Sequence, residues 1–167
     1  GGGGDGGAAA FVGDVLQVDF DFAGFDATHD FHAVKSYLKF LFDVASPLDA
    51  SGLADAVTAQ ALVGSIVRVS ETDVFGFTSL VPVSTRPERE YAQHVVAYAT
   101  TRSADAAFRR DVRALFDDTD SVNVGLLLNE KMVNAPPQLA PPALRSVFDE
   151  VADVAQRDAE YAFTHVL

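Results

Sequence analysis

The stretch that decides the fold is Val122–Leu128, which reads VNVGLLL. Its nearly continuous run of apolar residues is typical of a strand that is buried on both faces of a sheet. A strand of that kind needs other elements packed on either side of it. We therefore expect an α/β fold with this strand at the centre of the sheet.

Two β-branched runs earlier in the chain predict a hairpin. They cover residues 65–70 and 73–83, with Glu71 and Thr72 near the turn, and turn residues between such runs favour antiparallel pairing. After the Gly-rich N-terminus, apolar and polar residues alternate without a break over Leu16–Phe22. This alternation predicts a half-buried strand.

Helical spacing of apolar residues predicts five helices around these strands. Thr28, Ser51 and Ser103 are candidate N-caps of the first, second and fourth helices, and Gly64 is a stop signal after the second. Pro87 suits the first turn of the third helix. The fifth helix follows a proline-rich stretch.

The predicted order of elements is β-α-α-β-β-α-α-β-α-β. Strands linked by helices allow parallel pairing, and the hairpin adds antiparallel pairing. We expect one mixed sheet with helices on both faces, forming a single α/β domain over residues 14–167 after a flexible Gly-rich tail over 1–13. A strand-like pattern from Tyr161 has no turn after it, so we expect the fold to continue beyond Leu167.

Composition restricts the possible partners. The chain has 167 residues, with 24 Asp+Glu against 12 Lys+Arg, and so carries a net charge of −12. Such acidity argues against binding to nucleic acids or to anionic lipid and favours a basic protein as partner. The chain has no Cys, which excludes disulfides, thiolate metal sites and thiol nucleophiles.

No pattern of residues predicts catalysis, a cofactor or a metal. His29 and His32 lie near a helix start, but zinc needs further ligands, and we interpret them as solvated. Asp117, Asp118 and Asp120 resemble the start of a calcium loop, yet the glycine and the closing Glu of that motif are missing. Phosphate-binding and nucleophile-elbow motifs are also absent from the sequence.

Two stretches are candidates for a partner surface. Arg102, Arg109, Arg110 and Arg113 form a small basic face, which is either a solvated helix face or a docking patch. The segment 134–137 is rigid and lacks two backbone donors, so it either contacts a partner or only shapes the loop before the fifth helix. The residues predicted for this surface are Asn134, Pro136, Pro137, Arg109 and Arg113.

Two long motifs resemble the BCCIP family, eukaryotic nuclear proteins named for interacting with a breast-cancer suppressor and a cyclin-dependent-kinase inhibitor. The first is DVFGFTSL at 73–80, and the second is VGLLLNEKMVNAPPQLA at 124–140. The match extends from about residue 15 to 167. It departs from the family pattern in the short acidic stretch at 70–73, in the Gly-rich N-terminus and in the absence of the family's C-terminal strands.

The resemblance implies a fold like that of the GCN5-related acetyltransferases, truncated at its C-terminus. It also implies a non-enzymatic nuclear chaperone that escorts a basic large-subunit ribosomal protein during ribosome biogenesis and passes between nucleus and cytoplasm. A scaffold in recombination and cell-cycle control is the alternative. An acetyltransferase is a third reading, but the segment Arg86–Glu90 leads into a helix without the glycine-rich loop that would hold the cofactor.

Overall fold

A computed structural model describes residues 19–43, 47–60, 62–118 and 120–167. The tail predicted over 1–13 and the first three residues of the strand predicted over 16–22 lie outside these residues. The strands are β1 (Asp21–Ala23), β2 (Gly64–Arg68), β3 (Val74–Pro82), β4 (Val124–Lys131) and β5 (His165–Val166). The helices are α1 (Ala27–Leu41), α2 (Ala50–Ala59), α3 (Glu90–Arg102), α4 (Ala106–Asp117) and α5 (Ala140–Val154).

The described strands form one five-stranded mixed sheet in the order β1-β2-β3-β4-β5. The first four strands pair antiparallel with their neighbours, and β5 pairs parallel with β4. The predicted order of helices and strands is confirmed, as is the hairpin of β2 and β3. The resemblance to the acetyltransferase fold stays a prediction.

The position predicted for the apolar stretch within the sheet is wrong. The middle strand is β3, and β4 lies between it and the two-residue β5. Val124, Leu126 and Leu128 are buried on one face, while Leu127 packs on the other face. A continuous apolar run indicates that both faces of a strand are covered. It does not indicate how many neighbouring strands the sheet has on either edge of that strand.

Helices cover both faces of the sheet, as predicted. We call the face covered by α1, α2 and α3 the first face; its core includes Leu38, Leu53 and Phe77, which are all at most 1% exposed. We call the face covered by α5 the second face; its core includes Leu80 and Val147, both fully buried. No helix in the described residues is long and apolar enough to cross a bilayer.

All three predicted N-caps were misplaced by two residues. Asp26, Asp49 and Asp105 cap α1, α2 and α4, and each carboxylate accepts a backbone N–H from the first turn of its helix. These side chains satisfy donors that would otherwise be orphaned. In each case a carboxylate lies within two residues of the predicted hydroxyl, so the sequence offered two acceptors for one helix start.

Other element boundaries also differ from the predictions. Pro87 does not open a helix, because α3 begins only at Glu90. Gly64 is not a helix stop: α2 ends at Ala59, and Gly64 is the first residue of β2, with φ +113°. The predicted strand from Tyr161 is instead a short 3-10 turn over Ala159–Tyr161, followed by β5.

Candidate functional site

A cleft lies between α2 and the chain that leads into α3, and we call it the α2–α3 cleft. Its volume is about 580 Å³. One wall is α2, from Asp49 to Gln60, and the other is formed by Arg86 to Tyr91. Tyr161 also lines it. A cleft of this size suits a small molecule or a few side chains of a partner.

A hydrogen-bond network between buried polar groups holds the base of this cleft. The Tyr161 hydroxyl donates to Gln60 Oε1 at 2.9 Å, and Gln60 Nε2 donates to Ser79 Oγ at 2.9 Å and to the Val63 carbonyl at 2.7 Å. Burial raises the pKa of Tyr161 to about 12. The hydroxyl therefore stays protonated at neutral pH and serves as a donor that fixes Gln60.

Two ion pairs line the approach to α3. Arg86 pairs with Glu160, and that hydrogen bond raises the pKa of the guanidinium above its usual value. Arg89 Nε lies 3.5 Å from Glu88 Oε1 in an exposed pair. Exposed pairs of this kind contribute little to stability. Both guanidinium groups in the cleft are thus already engaged by carboxylates of the same chain.

The remaining charges make the lining acidic. Asp49, Asp55, Glu88 and Glu90 line the cleft together with the two arginines, so carboxylates outnumber guanidinium groups by two. One oxygen of the Asp49 carboxylate already has a partner, since it accepts the Gly52 N–H at 2.9 Å. The chemistry of the lining favours a cationic ligand. No sequence pattern marked these residues as a group, because they come from segments that are far apart in the chain.

The predicted segment at 134–137 is a tight turn beyond the end of β4. The Ala135 N–H donates to the Met132 carbonyl at 2.9 Å, and the Met132 N–H donates to the Phe75 carbonyl at 2.8 Å. Asn134 and Pro137 are exposed and Pro136 is half-buried. The neighbouring Val133 is the most exposed large apolar residue described, at 104%.

The predicted basic face lies on α4 and the end of α3, and most of it is internally compensated. Arg109 Nη1 donates to the Ser103 carbonyl at 2.7 Å, while Arg102 and Arg110 pair with Asp43 and Asp111. Arg113 is exposed. In the described residues, no hydrogen bond or ion pair connects this face with the turn at 134–137, so the two halves of the predicted surface are not brought together.

The histidines and aspartates considered as metal ligands do not converge. His29 Nδ1 lies 3.0 Å from Asp26 Oδ2, and this hydrogen bond raises the pKa of the His29 imidazole. The same contact lowers the pKa of the Asp26 carboxyl. Within the described parts of the chain, no three His, Asp or Glu side chains are grouped so that they could hold a metal ion.

Comparison with known proteins gives a consistent set of relatives. Protein bcp1 of Schizosaccharomyces pombe is 31% identical over 160 residues, covering 92% of this chain and 56% of the relative. Protein bcp1 of Emericella nidulans is 29% identical over 158 residues, covering 92% of this chain and 54% of the relative. The chain therefore spans about half the length of the curated relatives it matches.

A solved structure agrees with these relatives. The crystal structure of BCP1 from Saccharomyces cerevisiae superposes with a TM-score of 0.64 at 27% identity, covering 85% of this chain and 59% of that one. The family model described as BCCIP matches residues 15–167, which include both motifs at 73–80 and 124–140. The chain is therefore a member of the BCCIP family.

Proposed function

We propose that this chain is a non-enzymatic nuclear binding protein that escorts a basic large-subunit ribosomal protein during ribosome biogenesis. The observation that carries the proposal is charge: the chain has a net charge of −12, and carboxylates outnumber guanidinium groups in the lining of the α2–α3 cleft. Membership of a family that is not known as an enzyme family supports a binding role. Movement between nucleus and cytoplasm is part of the proposal.

The physical task of such an escort is to cover cationic surface until RNA replaces it. A free ribosomal protein carries many Lys and Arg side chains that bind RNA non-specifically by releasing counterions. An acidic partner competes for the same side chains without using base contacts. It also attracts its cationic client over long distances, which raises the association rate.

A capture experiment tests this function. The purified chain is immobilised and offered salt-extracted large-subunit ribosomal proteins mixed with an equal mass of core histones, which are equally basic. We expect one or a few ribosomal proteins to be retained at physiological ionic strength, and we expect the association rate to fall as salt rises, because exposed charges are screened beyond about 8 Å at 0.15 M.

Other outcomes assign other functions. Equal retention of histones and ribosomal proteins would reduce the activity to general binding of cations and would contradict the escort. If neither histones nor ribosomal proteins are retained, the proposed binding function is wrong. If a nuclear extract yields recombination or cell-cycle proteins while purified ribosomal proteins do not bind, the scaffold becomes the function.

A further inference from the structure

A second groove lies on the other side of the molecule, between β1 and α5, and we call it the β1–α5 groove. It has a volume of about 400 Å³. Its lining includes the large apolar side chains of Phe22, Leu62 and Pro142, together with the polar side chains of Ser65, Ser146 and Glu150. Since α5 packs mainly over β2 and β3, it leaves the face of β1 uncovered beside it.

One carboxylate is held in this groove in a fixed position. Glu150 Oε2 accepts the Gly64 N–H at 2.7 Å, and Glu150 Oε1 accepts the Ser146 hydroxyl at 2.9 Å. Gly64 is itself held by the sheet, since it lies opposite Ser79 in the antiparallel pairing of β2 with β3. The charge of Glu150 is therefore placed by backbone geometry.

This carboxylate has no counter-charge within the described residues. Each described Lys, Arg or His that forms an ion pair does so with another carboxylate, and none lies within 4.0 Å of Glu150. Among the described residues, Glu150 is also the only charged one that lines the groove. A half-buried carboxylate with two neutral donors still gains from a cation, because the attraction between opposite charges is stronger at a partly buried site than in water.

A hydroxyl group in the lining is also unpaired. Ser65 is 8% exposed, and its buried Oγ has no hydrogen-bond partner among the described residues. Buried hydroxyl groups are usually paired, and leaving one unpaired costs about 1–3 kcal/mol. A ligand that brings a donor or an acceptor into the groove would satisfy it.

The apolar part of the groove is open to solvent. Phe22 is 41% exposed and Leu62 is 50% exposed. Together with Pro142, they offer a surface on which the aliphatic part of a long side chain could lie. Lys and Arg combine such an aliphatic stem with a cationic head.

We propose that the β1–α5 groove binds a basic, partly apolar segment of the partner protein, with one Lys or Arg side chain paired to Glu150. The inference rests on the proposed function, because the basic character of the partner comes from that proposal. It goes further by naming the surface and the chemistry of the segment. The occupant is a peptide segment of another protein.

Two labelled peptides test the inference by fluorescence anisotropy at low salt. One alternates four Lys with four Leu, and the other alternates four Lys with four Ser, so their charges are equal. We expect the Lys-Leu peptide to bind more tightly. In Glu150→Gln the amide oxygen can still accept the Gly64 N–H, and the amide NH2 can donate to the Ser146 Oγ in place of the present bond. The substitution therefore removes the charge while retaining two hydrogen bonds, and we expect it to weaken this binding about tenfold.

Matched variants distinguish the contribution of the groove from that of the chain's overall negative charge. Asp149→Asn makes the same change of charge on an exposed, non-lining position of α5, and we expect less than a twofold effect. Leu62→Ser should remove the preference for the Lys-Leu peptide, whereas Phe148→Ser, at a 47% exposed position outside the groove, should not. Thermal melting of each variant establishes that it is folded.

The possible results distinguish a failure of the groove proposal from a failure of the proposed binding function. Equal losses in Glu150→Gln and Asp149→Asn would overturn the groove while leaving the binding function in place. If neither peptide binds, both the groove proposal and the proposed binding function are wrong. If sedimentation shows that the unmodified chain self-associates and that Leu62→Ser abolishes the association, the occupant is a second copy and the proposal of a basic segment is wrong.

Discussion

The two faces of the sheet are covered very differently. In the described residues, the first face carries a cluster of eighteen buried apolar side chains under three helices, and the second face carries five under α5. The two faces also differ in how a carboxylate on each is compensated. On the first face, Asp30 is 1% exposed and paired with Arg68, whereas Glu150 on the second face has hydrogen bonds but no cation.

This difference separates two roles within one sheet. Apolar area removed from water is the main source of stability, so the first face supplies most of it. The second face leaves apolar side chains and a carboxylate available for another molecule. Substitutions that compare matched positions on the two faces can test this division.

The largest expected effect is at Gly125, in β4. A Cβ there would lie 2.4 Å from Leu80 Cδ2 and 3.0 Å from Phe163 Cδ1. Gly125→Glu adds this clash to a buried carboxylate without a partner, and we expect it to abolish folding. Circular dichroism and solubility measure the result.

Gly24 provides the control on the same side of the sheet. A Cβ at Gly24 would have nothing within 4 Å, so Gly24→Glu makes the same chemical change in open space. We expect a shift in stability of no more than about 0.5 kcal/mol. A soluble Gly125→Glu variant that melts cooperatively would show that the second face is loosely packed even at β4.

The next effect compares the two cores directly. Phe77 is 1% exposed on the first face, with its ring centroid 6.3 Å from that of Phe25 and 6.1 Å from that of Tyr37. Phe77→Ala should lower the free energy of unfolding by about 3–5 kcal/mol. Val147→Ala, at a fully buried position on the second face, removes two methyl groups and should cost about 2 kcal/mol. Urea denaturation measures both, and equal losses would contradict the division.

The order of elements could be predicted from the sequence, whereas their exact boundaries and the clefts could not. The order of elements followed from period-two and helical apolar patterns, which depend on local geometry. The exact starts of α1, α2 and α4 did not, because each has an aspartate and a hydroxyl residue competing for one cap. The clefts could not be predicted, since Tyr161 meets Gln60 and Glu150 meets Gly64 only through the tertiary fold.

A smaller effect concerns the buried ion pair. Arg68 Nη2 lies 2.9 and 3.0 Å from the two oxygens of Asp30, and Asp30 Oδ2 also accepts the Asp26 N–H at 2.8 Å. Asp30→Asn leaves the guanidinium without a charged acceptor, and we expect a loss of about 2–3 kcal/mol. Asp111→Asn, which breaks an exposed pair with Arg110, should cost less than about 1 kcal/mol. Similar losses in urea denaturation would mean that Asp30 and Arg68 are solvated.

The smallest effect is at the exposed start of α1, which is the polar end of a first-face helix. The hydrogen bond that the His29 imidazolium donates to the Asp26 carboxylate raises the pKa of His29 above its ordinary value of 6.5 and lowers the pKa of Asp26 below 3.8. The His29 contribution is complete below pH 6.5 and is lost as pH rises through the raised pKa. The Asp26 contribution is present above pH 3.8 and is lost as pH falls through the lowered pKa.

The pair therefore adds stability most fully between these two ordinary values, and the addition is small because both side chains are exposed. Asp26→Asn should return the pKa of His29 towards 6.5, since an amide gives the imidazolium no negative partner. A proton NMR titration of the His29 ring measures the shift. Asp55→Asn makes the same change of charge on α2 and should leave the His29 titration in place; an equal downward shift in both variants would mean that the overall acidic field, and not the contact with Asp26, holds the proton on His29.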